Sequence, residues 1–336
     1  MNKKLLPTIS LKTSILFPLV MVLIVLILGF TYAYIHQEKM YTQKYIGDQF
    51  LSAKHALDTS IEIERDKLSA ILTSVTANSE LKRAMIADDR DALLKQAGTL
   101  FNTLLDKYHI THFYFHRPDR VNFLRMHKPD RYGDMINRFS ARQAEVTGQP
   151  ASALETGPLG LFTLRVVFPW YENKKLIGYV ELGEEIEHIY SRIKNMLHVD
   201  LYVLINKRIL SRTDWEAGMK MLKRQAEWNL MPDSVIAYTT MPDNKKSVLT
   251  HFMENSNLKE ITAEVNKSER IFIPYTLPIT EESKGKQKIG SMLFIRDVTD
   301  IKKQSIDNII RIVLFGSGIG GILLLLFFLL TRRTEQ

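Results

Sequence analysis

The stretch Arg165-Val-Val-Phe-Pro-Trp-Tyr171, followed by Lys175-Leu-Ile-Gly-Tyr-Val-Glu-Leu182, has a counterpart later in the chain. The counterpart is Arg270-Ile-Phe-Ile-Pro-Tyr275, followed by Lys288-Ile-Gly-Ser-Met-Leu-Phe-Ile295. In both copies a strand with a Pro-aromatic pair precedes a strand that carries Ile-Gly, so Gly178 and Gly290 occupy equivalent positions. Such a repeat predicts two copies of one antiparallel sheet module in tandem. Chance similarity between two amphipathic hairpins is the alternative.

Another hairpin precedes the first copy. Two strand-like runs, His112-Phe-Tyr-Phe-His116 and Val121-Asn-Phe-Leu-Arg-Met-His127, flank the turn sequence Arg117-Pro-Asp-Arg120. If the turn places His116 opposite Val121, then Tyr114 lies opposite Phe123 and His112 opposite Arg125. Alternation then gives the hairpin a polar and aromatic face and an apolar face. The first face carries His112, Tyr114, His116, Phe123, Arg125 and His127, and the second carries Phe113, Phe115, Leu124 and Met126.

Upstream, apolar residues recur at helical spacing without an intervening proline, which predicts one long helix. These residues are Ile46, Phe50, Leu57, Ile61, Leu68, Leu72 and Val75. Two interpretations of this stripe stay open: it packs on its own domain, or it also pairs with a second copy as a coiled coil. Further predicted elements are helices at Arg138–Gly148 and Glu184–Leu197, a strand at Asp200–Leu210, and a helix behind a Thr213/Glu216 capping box.

Two stretches without charged residues, Thr13–Ile35 and Ile312–Thr331, are each long enough to cross a bilayer. Basic residues without acidic neighbours precede the first stretch, namely Lys3, Lys4 and Lys12, and Arg332 and Arg333 follow the second. This distribution predicts cytoplasmic termini and an exported central segment. A cleaved signal peptide is the alternative for the first stretch, but the stretch is long and lacks a small-residue cleavage site.

Composition narrows the functional classes. The chain has no cysteine, which excludes thiol catalysis, zinc–thiolate sites and CxxC redox chemistry. The formal charge of +8 owes much to the basic flanks, and we expect no nucleic-acid surface. No Gly-x-Ser-x-Gly, His-Glu-x-x-His or phosphate-loop motif occurs, so we expect a protein that is not an enzyme.

The run Phe123-Leu-Arg-Met-His-Lys-Pro-Asp-Arg-Tyr-Gly-Asp134, with Arg138, resembles the Phe-x-Arg-x-His-x-Pro…Tyr-Gly-Asp signature of a subgroup of double Cache sensor domains. Gly157-Pro-Leu-Gly160 and Gly178-Tyr-Val-Glu-Leu-Gly-Glu-Glu185 are also similar to that subgroup. The resemblance covers residues 36–311 and implies a membrane-emergent helix with two PAS-like modules. Such domains occur in bacterial chemoreceptors, sensor histidine kinases and diguanylate cyclases. No HAMP, kinase, cyclase or methyl-accepting region follows the second span, so we expect a separate output partner unless the sequence is part of a longer receptor.

We therefore predict an α+β fold in which a long N-terminal membrane-emergent helix precedes two tandem PAS-like antiparallel-sheet modules, with a transmembrane helix on each side. The predicted segments are a cytoplasmic N-terminus (1–12), transmembrane helix 1 (13–35), a stalk helix region (36–106), a membrane-distal module (107–197), a membrane-proximal module (198–306), transmembrane helix 2 (309–331) and a short cytoplasmic tail (332–336). Gly316 and Gly320 predict close packing of the second span on the first span or on a partner.

The hairpin face opposite the apolar core is the candidate binding site. Arg125 offers a planar guanidinium that binds a carboxylate through two hydrogen bonds. Arg138 and Arg165 would add positive charge, and Asp134 would accept an amine or orient an arginine. The candidate ligand-binding residues are His112, Tyr114, Phe123, Arg125, His127, Tyr132, Asp134, Arg138, Arg165 and Trp170, of which Tyr132 and Trp170 would form aromatic walls. In the alternative, Arg125, Asp134 and Arg138 form an internal salt-bridge network that fixes the loop.

Other polar groups give weaker signals. On a strand, His112 and His116 share a face but lie about 13 Å apart, too far to chelate one ion, so no metal site is expected there or with His109. Glu181, Glu184 and Glu185 are interpreted as partners of a helix dipole. We expect neither catalytic residues nor a cofactor.

These features together predict a two-pass sensory receptor of the bacterial inner membrane with a periplasmic domain. It would bind a small anionic ligand, such as a carboxylate, in the membrane-distal module and transmit a conformational signal. Its expected partners are that ligand, membrane lipid, a second copy in a homodimer and a separate signalling protein. The alternative is a structural assembly protein such as a polysaccharide chain-length regulator, whose exported part would be mainly helical.

Overall fold

A computed structural model describes residues 11–157, 160–241, 248–250, 261–265, 268–281 and 287–333. Lys3 and Lys4, which contribute to the orientation prediction, lie outside the described residues, as does the tail 334–336. The chain forms two compact units, one made of Met1–Gln49 with Asp297–Gln336 and the other of Phe50–Arg296.

The helices and strands follow one another in two similar series. The first series is α1 (Leu11–Ala77), α2 (Ser79–Ile86), α3 (Arg90–Tyr108), β1 (Ile110–His116), β2 (Asn122–Arg125), α4 (Phe139–Thr147), β3 (Ala151–Thr156), β4 (Phe162–Glu172), β5 (Lys175–Glu185) and α5 (Glu187–Leu197). The second series is β6 (Asp200–Asn206), a 3-10 turn (Lys207–Ile209), α6 (Arg212–Met221), β7 (Ser234–Thr239), β8 (Ile261–Val265), β9 (Ser268–Glu281), β10 (Gln287–Asp297) and α7 (Thr299–Arg333).

The two series build two five-stranded sheets with the same topology. The strand orders are β2-β1-β5-β4-β3 and β7-β6-β10-β9-β8. The Ile-Gly positions are also equivalent: a Cβ at Gly178 would lie 2.2 Å from the carbonyl oxygen of His116 in β1, and one at Gly290 would lie 2.1 Å from that of Leu204 in β6. The predicted α+β fold with two tandem antiparallel-sheet modules is confirmed.

The apolar stripe of α1 is mostly buried in the chain's own fold. Leu68, Leu72 and Val75 are almost completely inaccessible to solvent. The indole N–H of Trp170, in β4, donates to the carbonyl of Thr76 at 2.9 Å, and thereby joins the first sheet to α1. These contacts favour the interpretation in which the stripe packs on its own domain.

The register of the first hairpin differs from the predicted one. Tyr114 pairs with Arg125, Phe115 with Leu124, and His116 with Asn122, with an irregularity between Phe115 and His116. The predicted pairing of Tyr114 with Phe123 is therefore wrong. A bulge adds a residue to one strand and changes which side chains share a face beyond it.

Two helix starts also differ from the prediction. Strand β5 continues through Glu185 and α5 begins only at Glu187, so Glu181, Glu184 and Glu185 are strand residues rather than partners of a helix dipole. Helix α6 is capped by Ser211, whose hydroxyl accepts from the backbone N–H of Asp214 at 3.4 Å. The predicted Thr213/Glu216 capping box is wrong; Glu216 pairs with Arg212 instead.

In the other unit, the apolar part of α1 and helix α7 are both long and apolar enough to cross a membrane. A Cβ at Gly320 would lie 2.2 Å from a methyl carbon of Leu23, so this glycine allows close approach of the two helices. At the end of the first apolar stretch, the hydroxyl of Tyr34 accepts a hydrogen bond from the side chain of Asn308 at 3.1 Å. The hydroxyl of Ser305 donates to Glu38.

Candidate ligand-binding site

A cavity of about 850 Å³ lies on one face of the first sheet. Its walls come from all five strands of the first sheet, the segment between β2 and α4, and the first turns of α6, where Asp214 and Ala217 face it. Seven of the ten predicted binding residues line this cavity: His112, Tyr114, Arg125, His127, Asp134, Arg138 and Arg165. The alternating pattern of β1 therefore located the polar face, although the register of the hairpin was wrong.

The other three predicted residues do not line the cavity. Trp170 lies five positions after Arg165 in β4, so strand alternation turns it to the opposite face, where it contacts α1. Phe123 is displaced by the bulge, and Asn122 takes the position opposite His116. Tyr132 is exposed and stacks under the guanidinium of Arg90, whose carbon lies 3.9 Å from the ring centroid.

Arg125 is held by the loop that follows β2. Its two terminal nitrogens donate to the two carboxylate oxygens of Asp134, each at 2.7 Å, and one of them also donates to the carbonyl of Arg131 at 2.8 Å. The hydrogen bonds to Asp134 lower the pKa of this carboxyl group below its usual range. Arg125 and Asp134 thus form the ion pair of the salt-bridge alternative, whereas Arg138 binds elsewhere.

Arg138 and Arg165 meet at a buried carboxylate that the sequence analysis missed. One terminal nitrogen of Arg138 lies 2.7 Å from both oxygens of Glu181, and Arg165 donates to Glu181 at 2.6 Å. Burial alone would raise the pKa of Glu181. The two guanidinium groups, together with a hydrogen bond from His116, lower it well below the usual range. Glu181 is therefore ionised although its side chain is completely buried.

A second acid lies close to the same two arginines. Glu155 accepts from the backbone N–H of Ser140 at 2.8 Å, and its other oxygen lies 3.6 Å from Nε of Arg165. Burial raises the pKa of Glu155. Arg138 Nη1 and Arg165 Nη2 make no hydrogen bond to any residue in the part of the chain that the structure describes. The pair therefore has positive charge and N–H groups to offer a ligand.

His116 is a buried, neutral imidazole next to Glu181. Its Nε2 is 3.0 Å from Glu181 and its Nδ1 is 3.2 Å from the side-chain nitrogen of Asn122. Because the amide nitrogen can only donate, Nδ1 accepts and Nε2 carries the proton. Burial lowers the pKa of His116 in agreement with this assignment.

The two histidines on the cavity wall report a positive environment. Burial, followed by the charge of Arg165, lowers the pKa of His112 to about 2. Burial and the charges of Lys128 and Arg125 lower that of His127 to about 4. Both side chains are thus neutral at neutral pH, since burial, and after it the surrounding cations, oppose a positive charge on these rings. His109, the third histidine of the sequence pattern, ends α3 with a left-handed backbone (φ 57°).

Comparison with known proteins identifies the family of the chain. A family profile described as "Double sensory domain of two-component sensor kinase" matches residues 51–301. The chain belongs to this family. The matched region contains both sheets and the cavity.

A search of solved structures found domains with low sequence identity to this chain. The periplasmic domain of Vibrio cholerae LuxQ is 12% identical, with a TM-score of 0.45 over 74% of this chain and 99% of that one. The sensor domain of the V. cholerae histidine kinase DctB is 9% identical, with a TM-score of 0.44 over 76% and 98%. The ligand-binding domain of the Campylobacter jejuni chemoreceptor Tlp3, solved in complex with L-valine, is 9% identical, with a TM-score of 0.40 over 78% and 95%. A search of curated proteins found no match.

Proposed function

We propose that this protein is a two-pass sensor of the bacterial inner membrane that binds a small anionic ligand in the cavity of its membrane-distal module. The observation that carries the proposal is the pairing of Arg138 and Arg165 on Glu181, with further N–H groups left over at the cavity. Guanidinium groups bind carboxylates and phosphates through paired hydrogen bonds. A cavity of this size accommodates a small metabolite.

The charge balance of the wall supports an anion. Five basic side chains line the cavity: Arg125, Lys128, Arg131, Arg138 and Arg165. Three acidic side chains line it: Asp134, Glu185 and Asp214. Asp134 is already paired with Arg125, and the hydroxyl of Thr111 donates to Glu185 at 2.6 Å. The depressed pKa values of His112 and His127 agree with a positive potential at this wall.

Helix α1 is the element suited to carry a signal, because it continues without a break from the apolar segment to the first sheet. It contacts that sheet through the hydrogen bond from Trp170 to Thr76 and through the ion pair of Lys67 with Glu184 in β5. Ligand binding would shift α1 only if the ligand has different affinities for two states of the module. A homodimer and a separate signalling protein belong to this proposal as expected partners.

A direct test is a thermal-shift screen of the full chain in lipid nanodiscs. The panel contains acetate, pyruvate, succinate, citrate, inorganic phosphate and the common amino acids, and each carboxylate is paired with its uncharged amide. A true ligand stabilises the folded chain by about 2.7 kcal/mol at a hundredfold excess over its Kd. We expect at least one anion to stabilise the protein while its amide does not. Equal effects of anions and amides would contradict the proposal.

Substitutions then test whether the anion found in the screen (the hit) binds in the cavity. Arg165→Lys keeps the charge but loses the planar donor pair, and Arg125→Ala removes the guanidinium next to Tyr114. We expect each to weaken binding of the hit more than tenfold, since loss of a desolvated charged hydrogen bond typically costs about 2–5 kcal/mol. Arg142→Gln, on the exposed side of α4, is the control and should leave affinity unchanged.

The Arg125→Ala variant also shows whether the ion pair of Arg125 with Asp134 serves ligand binding or only fixes the loop. If it serves only to fix the loop, Arg125→Ala lowers the melting temperature as much as Asp134→Ala does, and the hit binds with unchanged affinity. The competing function, a chain-length regulator with a mainly helical exported part, is not supported, because the described residues between 110 and 297 form ten strands.

A further inference from the structure

Three potential metal ligands converge on the side of the first sheet opposite the cavity. Glu64 of α1, Glu184 of β5 and His188 of α5 each present one ligand atom, and these atoms all lie within 4.8 Å of one another. Glu64 and Glu184 are buried, at 6% and 0% exposure. Glu185, the next residue along β5, faces the cavity instead, so this cluster is separate from the proposed ligand site.

The hydrogen bonds of His188 define which ring nitrogen is available. Its Nδ1 lies 3.1 Å from the backbone carbonyl of Glu185, which can only accept, so Nδ1 carries the proton. In the neutral ring, Nε2 then has a lone pair, and it lies 3.3 Å from Oε1 of Glu64. Two acceptors face each other at this distance, which is favourable only with a cation or a proton between them.

Glu184 adds a third lone pair. Its Oε2 accepts from the ammonium group of Lys67 at 2.8 Å. Its Oε1 is buried and has no hydrogen-bond partner among the residues that the structure describes. Lys67 also contacts Oε2 of Glu64, so this lysine takes one oxygen from each carboxylate and leaves the other oxygen of each. The nearest further cation is Arg192, 3.9 Å from Oε1 of Glu64 and more than half exposed.

We propose that Glu64, Glu184 and His188 bind a divalent transition-metal ion of the zinc class. Two carboxylates and an imidazole whose second nitrogen donates to a carbonyl form a common ligand set for such ions. The imidazole favours zinc-like ions over Mg²⁺ and Ca²⁺, which prefer oxygen ligands throughout. Lys67 offsets part of the carboxylate charge, and water completes the coordination.

The position of the cluster gives the ion a role. Its three ligands come from α1, from β5 and from α5, the helix that leads into the second module. A bound ion would therefore hold α1 against the distal module. Occupancy would change how firmly α1 follows that module, whether or not an anion occupies the cavity.

The test is isothermal titration of ZnCl₂, with MgCl₂ in parallel, into the tag-free, chelator-stripped full chain in nanodiscs at pH 7. We expect one equivalent of zinc per chain and at least tenfold weaker binding of magnesium. Glu184→Gln and His188→Ala should each weaken zinc binding at least tenfold. His188 is partly exposed, so its replacement is the variant expected to fold in any case.

Two controls separate this site from others. His55→Ala removes an exposed histidine of the same helix and should leave the titration unchanged. Arg165→Lys, which tests the anion cavity, should also leave zinc binding unchanged, so either proposal can fail alone. Absence of stoichiometric zinc binding by the wild-type chain would overturn the inference. So would retention of wild-type affinity in folded Glu184→Gln and His188→Ala.

Discussion

The two modules share a strand order but differ in what they bury. In the first module the interior includes the charged side chains of Arg125, Glu155, Arg165, Glu181 and Glu184. Among the residues 200–296 whose side chains the structure describes, no Asp, Glu, Lys, Arg or His is buried. One apolar cluster there combines Tyr202, Leu204, Met231, Met241, Val248, Leu249, Phe272, Leu293 and Ile295. The fold therefore does not require buried charge.

Equivalent positions make the contrast concrete. Glu181 lies three residues after Gly178, and Leu293 lies three residues after Gly290. At equivalent positions of the two sheets, the first module has a carboxylate bound by two arginines and the second has an apolar side chain. Replacing a buried ion network with apolar groups is often neutral or stabilising, so such a network is weak evidence for stability. Its presence in one module alone favours a specialised binding role.

The cavities of the two modules also differ in size and in the number of basic side chains on their walls. A cavity of about 420 Å³ in the second module has two basic side chains on its wall, Lys223 and Arg224, and the guanidinium of Arg224 is paired with Glu187, one nitrogen donating at 2.7 Å. The cavity of the first module is about twice as large and has five basic side chains on its wall. We therefore expect the ligand response to originate in the first module.

The largest expected effect follows from neutralising the central carboxylate. Glu181→Gln keeps the size of the side chain but leaves Arg138 and Arg165 without their ionised partner. Breaking a buried ion pair in this way typically costs about 3–5 kcal/mol. Leu293→Met, at the equivalent position, conserves volume and should cost less than about 1.5 kcal/mol. Chemical unfolding of both variants measures the difference, and equal losses would remove the contrast between the modules.

A smaller effect should be common to both modules. An added Cβ at Gly178 or at Gly290 meets the carbonyl oxygen of the neighbouring strand at 2.2 or 2.1 Å, so the strands must separate. We expect Gly178→Ala and Gly290→Ala each to destabilise the chain by about 1–3 kcal/mol in chemical unfolding. Gly98→Ala, in α3 with nothing within 4 Å of the new Cβ, should be neutral or stabilising. A neutral result at only one of the two strand glycines would show that the repeat is not structurally equivalent.

Sequence periodicity predicted the two tandem sheet modules and α1 because the repeat and the stripe of α1 are local patterns, but it did not predict β7 or β8. It also identified the face of β1 that carries His112 and Tyr114, since side chains alternate along a strand. Strand β3 was missed; its half-buried residues Ala151–Leu154 give little alternating signal. The same parity rule could have excluded Trp170 from the site, because it lies an odd number of residues after Arg165.

The network of Arg138 and Arg165 with Glu155 and Glu181 could not be predicted from the spacing of these residues in the sequence. Glu155 and Glu181 come from different strands, and Arg138 from the start of a helix, so only tertiary structure brings them together. One signal was available: Glu181 stands between Val180 and Leu182 within an apolar run, where a charged residue needs a partner. The bulge that displaces Phe123 has no comparable signal in the sequence.

The smallest expected effect is a pH dependence that comes from the first module. His112 is largely buried, and burial with the charge of Arg165 lowers its pKa to about 2, against about 6.5 in an unfolded chain. Since the unfolded chain then binds a proton that the folded chain does not, stability falls as the pH drops below about 6.5, by roughly 1 kcal/mol per pH unit. His127 contributes with the same sign but less strongly, because it is exposed. His112→Gln should flatten the pH dependence of the unfolding free energy between pH 7.5 and 5.5. An unchanged slope would mean that burial and the charge of Arg165 do not hold His112 neutral.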